Sequence, residues 1–167
     1  MAAPELEMNF LKAGEEFAQS LETLGLDAHA IFWAYDQTEA RHVLIIVTDF
    51  FDLKGPLEIS KQLFKAYNAS ITPKQIDPFV VRLHSINQSL GEEYSSKAGM
   101  DWSLKIWDSQ GNPKPLPAEA KVTSMTIGDL VLAPSWILRS RKLDHRKTVE
   151  INRRWNRFTK NLDKAAA

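Results

Sequence analysis

The run Val43-Leu-Ile-Ile-Val-Thr48 constrains this chain most, because a stretch so continuously apolar suits a β-strand covered on both faces. Ala30-Ile-Phe-Trp-Ala-Tyr35 just before it is rich in aromatic and β-branched side chains, and only the polar stretch 36–41 separates the two. Such runs, so closely joined, read as an antiparallel hairpin. Asp49, Asp52 and Gly55-Pro56 follow, and proline in a first helical turn loses no needed hydrogen bond. The second strand therefore feeds a helix, with two acids at its exit.

Helical periodicity frames this hairpin. Leu6, Phe10, Ala13, Phe17, Leu21 and Leu24 predict a helix over 5–24, closed by Gly25. Residues 56–68 place Ile59, Leu63, Ala66 and Tyr67 on one side of the next helix. The return to Pro78-Phe-Val-Val-Arg-Leu-His84 makes a crossover, which puts the third strand parallel to the second. Ser85 begins a Ser-x-x-Gln pattern resembling a capping box before a short helix through Ile86, Leu90 and Tyr94, ended by Gly99.

Trp102–Asp108 alternates as a half-exposed strand, and Pro113, Pro115 and Pro117 keep the next passage extended. Strands are expected at Lys121–Met125 and Leu130–Ala133 around Gly128-Asp129, with Trp136–Arg139 continuing past Pro134 as an edge or bulge. A helix over 144–163 carries the stripe Ile151, Trp155, Phe158 and Leu162, with cations almost opposite and a frayed 165–167. The expectation is one α+β domain over 1–164, its sheet-forming body at 27–142. A single mixed or antiparallel sheet of about five strands is packed by helices mainly on one face, in the order α-β-β-α-β.

The 167 residues suffice to bury about 70% of the unfolded surface in one core. Cysteine is absent, which excludes disulfides and thiolate chemistry. The acidic start Glu5-Leu-Glu-Met8 lacks the features of a signal peptide, and no apolar run approaches the roughly 18 residues that span a bilayer. A cytoplasmic protein without membrane attachment is expected. The neutral total conceals polarity: residues 1–60 hold 3 Lys or Arg against 11 Asp or Glu, and residues 136–167 hold 10 against 3. That asymmetry suits a nucleic-acid arm or attraction between the chain's own ends.

Phe32-Trp33 through Leu44–Asp52 to Gly55-Pro56, with Thr126–Arg139, resembles a family of small bacterial proteins to which no activity is assigned. Thr48-Asp49, Pro134-Ser135 and the basic final helix depart from its pattern. The resemblance implies one compact α+β domain and confers no chemistry.

Asp49 and Asp52 are the candidates for catalysis, since carboxylates at a strand exit can hold a divalent cation or act as a base. The plainer alternative has them accept backbone N–H bonds at a helix start. His84 is placed to meet either acid as a proton-transfer pair, or to stand as an ordinary hydrogen-bonded histidine. His29, His42, His84 and His145 show no ligand spacing, so no metal site and no cofactor are expected.

Arg139, Arg141, Arg146, Arg153, Arg154, Arg157 and Lys160 are the candidate phosphate contacts, or else partners of the acidic first helix. Trp107 and Trp136 are candidate anchors of a protein interface, the alternative for Trp107 being burial under the last helix. No phosphate loop, dinucleotide fingerprint or Gly-x-Ser-x-Gly is present. The functional expectation is a non-catalytic protein-interaction or accessory module, binding another protein or itself. Alternatives are a nucleic-acid-associated protein using the basic end, and a metal-dependent hydrolase or transferase using Asp49 and Asp52.

Overall fold

The two apolar runs form the middle of one sheet. In the computed structural model, which describes residues 4–88, 125–141 and 145–167, β1 (Ala30–Asp36) and β2 (Arg41–Val47) pair antiparallel from Ala30↔Val47 to Asp36↔Arg41. Ala30 to Ala34 and Val43 to Val47 are buried at both parities, so both faces of the sheet's centre are covered. The connecting turn is held by Asp36, whose Oδ1 accepts the N–H groups of Thr38 at 2.8 Å and Glu39 at 3.0 Å.

α2 spans Phe50–Asn68 with a break at Gly55, where φ 80° and ψ 162° interrupt the helix. Pro56 thus opens the longer segment as expected, and the first turn at Phe50 is additional, Thr48 Oγ1 accepting the Phe50 N–H at 3.1 Å. The crossover returns to β3 (Val81–His84), parallel to β2 with Leu44↔Val81 to Val47↔His84 in register.

Two short strands, β4 (Met125–Ile127) and β5 (Leu130–Leu132), make a hairpin around Gly128 at φ 58°. β5 pairs with β1 at Tyr35 and Asp36, a 3-10 turn at Pro134–Trp136 breaks the strand, and β6 (Ile137–Ser140) resumes against Ala30 to Phe32. Because β2 occupies one side of β1 throughout, β5 and β6 lie end to end along the other. Pro134 makes the break, and the register shifts between Ile31 and Phe32. The result is a single mixed sheet in the order β3-β2-β1-β5-β4.

α1 is Met8–Leu24, closed by Gly25 at φ 108°, whose N–H donates to Leu21 and Glu22. It starts later than its apolar spacing suggests, although Leu6 is buried all the same. Phe10 is 39% exposed and stands edge-on to Trp33 at 5.9 Å. α3 is Thr148–Ala166, so it begins after the expected Asp144 and continues through Ala165 and Ala166. It buries Ile151, Trp155, Phe158 and Leu162 and packs against α1 and α2, with Trp155 5.3 Å from the Phe50 ring.

The expected elements at Leu90–Tyr94, Trp102–Asp108, Pro113–Pro117 and 121–124 lie outside the described residues. Among the described residues no helix is long and apolar enough to cross a membrane.

Candidate functional site

Topology brings charged residues from four places to one end of the sheet. In an antiparallel pair the residues entering β1 lie beside those leaving β2, and the His29 N–H donates to the Val47 carbonyl at 2.8 Å. That sets Asp27 and His29 next to Asp49. β6 runs antiparallel to β1 and exits at the same end, where the Arg141 N–H donates to the His29 carbonyl at 2.9 Å. Arg146, in the approach to α3, and Arg154, on its second turn, close the group. Together with Ile86 these residues line a pocket of about 170 Å³.

Asp49 is 7% exposed and takes a two-bond fork from Arg146, Nε to Oδ2 at 2.7 Å and Nη2 to Oδ1 at 2.6 Å. Arg146 Nη1 also donates to Asp27 Oδ2 at 2.8 Å, and Arg154 Nη1 donates to the same oxygen. Asp49 first, and Asp27 after it, hold the Arg146 guanidinium firmly protonated against the cost of burial. Asp27 Oδ1, by contrast, is buried without a donor among the described residues. His29 titrates below its ordinary value, chiefly through burial and then through Arg141.

Asp49 stands at the N-cap of α2 but makes no side-chain cap bond there; its carboxylate faces Arg146 instead. Asp52 turns the other way, accepting the hydroxyl of fully buried Ser85 at 2.7 Å and 2.6 Å and the Asn87 amide at 3.3 Å. The capping-box pattern is half realised, Ser85 N–H donating to Gln88 Oε1 at 3.1 Å and Ser85 Oγ accepting the Asn87 N–H at 2.9 Å. Among the described residues His84 forms no hydrogen bond or ion pair with either acid. Burial, then Arg82, lowers its pKa, and its side chain bonds Gln88. Ser85, whose position one residue beyond β3 is as close to the strand end as His84, is the neighbour sequence reasoning missed. Among the described residues no three His, Asp or Glu side chains gather as for a metal ion.

The basic end folds back onto carboxylates. Arg139 reaches α1, donating to Glu22 at 2.8 Å, to Glu15 at 3.0 Å and to Gln19 at 3.3 Å. Arg153 and Arg154 pair with Glu150, while Arg141 and Arg146 turn to Asp27. Of the candidate phosphate contacts, Arg157 and Lys160 have no carboxylate partner among the described residues.

Trp136 is 7% exposed and edge-on to His42 at 5.3 Å, so burial removes it as an interface anchor. Trp107 lies outside the described residues. Exposed apolar area falls elsewhere: Leu57 is 69% and Phe79 76% exposed, with Phe64 edge-on to Phe79 at 5.1 Å. Leu57 and Phe64 are two turns apart, opposite the buried Ile59 and Leu63 stripe, a spacing legible in the sequence but passed over. No family model, no curated protein and no solved structure matches the chain.

Proposed function

We propose that this protein is a non-catalytic interaction module that docks a second, different protein on the outer face of α2. The observation that carries this reading is exposed Leu57 and half-buried Phe64 on one groove, with exposed Phe79 edge-on to Phe64, since exposed apolar side chains beside a groove favour a contact surface. The groove is bordered by Lys61 and Lys65, which pair with Glu58 at 3.9 Å and with Asp163 respectively. The apolar rim therefore favours a partner that inserts an apolar side chain into this groove. The inward pairing of Arg139, Arg141, Arg146 and Arg154 favours this over a nucleic-acid arm.

Photo-crosslinking tests it. A benzophenone side chain in place of Phe79 should give a discrete adduct with one other protein in cells, lost with Leu57→Asp. The same group in place of Arg157 should not. Adducts equal from both positions, or none, would overturn the reading, and an adduct only with a second copy would replace it by self-association.

A further inference from the structure

We propose that the outer face of α3 is a binding surface for the phosphate backbone of a nucleic acid. The surface is separate from the α2 groove and does not depend on it. α3 is anchored through Ile151, Trp155, Phe158 and Leu162, all buried. At about 100° per residue, Arg153, Arg157, Lys160 and Lys164 fall within a sector of about 60° on the opposite side. All four are exposed, and they form one row about 16 Å long at the rise of about 1.5 Å per residue.

The helix has two carboxylates of its own, and both are engaged elsewhere. Glu150, at the start of the row, is taken by Arg153 and Arg154, and Asp163 pairs with Lys65 of α2. Arg157, Lys160 and Lys164 consequently have no carboxylate partner among the described residues. Cations three and four positions apart on a helix repel one another, and Arg157 with Lys160, then Lys160 with Lys164, stand at those spacings. A face needed only for solubility would intersperse acids, for which the chain has the material, with 21 Asp or Glu against 21 Lys or Arg. On α2 the exposed Lys61 and Lys65 each do stand beside a carboxylate. The α3 row is therefore a line of unneutralised charge on a rigid element, and its complement is a polyanion.

A single row matches the repeating charge of one nucleic-acid strand better than the plane of a bilayer. The apolar stripe of α3 is committed to the core, and exposed Val149 lies ahead of the row, so the charged face brings no apolar side chains to enter lipid. Asn152 and Asn156, exposed beside Arg153 and Lys160, add uncharged donors of the kind that bond phosphate oxygens. Such contacts fix position and read no base sequence. Arg139, Arg141, Arg146 and Arg154 take no part, being turned onto carboxylates. With three free cations the affinity should be modest and should fall as salt rises.

The test is fluorescence anisotropy of the full chain with a labelled oligonucleotide of mixed sequence, single-stranded and as duplex, at increasing salt. Binding of either form is expected at low salt, with a log–log salt slope of about −2 for the single strand or about −3 for the duplex, as three neutralised phosphates give. Arg157→Gln with Lys160→Gln should bring the slope to about −1 and weaken binding on the order of tenfold. The Tm should stay the same or rise slightly as repulsion is relieved, and Lys12→Gln on α1 should change neither binding nor slope. Should the double variant lose stability, the single Arg157→Gln and the wild-type slope decide. No binding at low salt, equal binding by the α3 variant, or a slope near zero would overturn the proposal. So would capture by phosphatidylserine vesicles or by polyglutamate with the oligonucleotide left free, which would assign the row to a bilayer or to an acidic protein.

Discussion

Asp49 and Arg146, separated by 97 positions, meet in a nearly buried fork with both bonds at 2.7 Å or less. This pair joins the exit of the central strand to the approach to the last helix. It also accounts for the late start of α3, because Arg146 is held on Asp49 outside the helix.

Asp49→Asn should destabilise the fold by about 1–3 kcal/mol, the cost of a lost charge-assisted fork while Arg146 keeps Asp27. In a double-mutant cycle, Asp49→Asn with Arg146→Met should lose less than the two single changes together. Urea unfolding of the four proteins measures this, and simple additivity would contradict the pairing.

Gly14→Ala should lower stability by about 1–2 kcal/mol. A Cβ at Gly14 would stand 2.5 Å from Trp33 Nε1 and 2.9 Å from Leu138 Cδ1. Overpacking of about 1–3 kcal/mol outweighs the gain in helix propensity of about 1 kcal/mol. A shifted Trp33 emission together with a lower Tm is the expected signature.

Calcium and manganese should leave the Tm unchanged. Both oxygens of Asp49 are engaged by Arg146 and both of Asp52 by Ser85, on different sides of the strand exit. A saturable rise of Tm with either ion, abolished by Asp52→Asn, would reinstate the metal-dependent alternative.

Stability should decline as pH falls below about 6.5. His84 has a folded-state pKa below its ordinary 6.5 through burial and then Arg82, so the unfolded chain takes up the proton first. The stabilisation is complete above the unfolded value and is lost as pH falls from there toward the folded one. His29 acts in the same direction. Asp36, lowered by the Glu39 N–H and then by Arg82, adds its loss only below the ordinary carboxylate value of 3.8. The drop in urea midpoint from pH 7.5 to pH 5.5 should be smaller in His84→Gln.

The hairpin, the crossover and the stripe of α3 were legible because each depends on neighbours within a few residues: burial periodicity, Gly55-Pro56 and the turn chemistry of Asp36. The placement of β5 and β6 along β1 was half legible, since Pro134 announced a break but nothing local says which strand receives the pieces. Asp49 and Asp52 looked like one acidic motif. They separate because β2 lies between β1 and β3, so its exit has neighbours on both sides, Arg146 for one acid and Ser85 for the other.

Among the described residues the sequence by itself determined which segments become strand or helix, since apolar period and backbone preference act over single turns and pleats. It also set opposite charge at the two ends of the chain. Only the tertiary structure decided that Arg139 would close on α1 and Arg146 on Asp49, and that Arg141 would be tied to the Ala28 and Asp27 carbonyls beside the Asp27 carboxylate. Coulomb attraction between the ends is unspecific in direction, and the sheet order selects which partners come within hydrogen-bond reach.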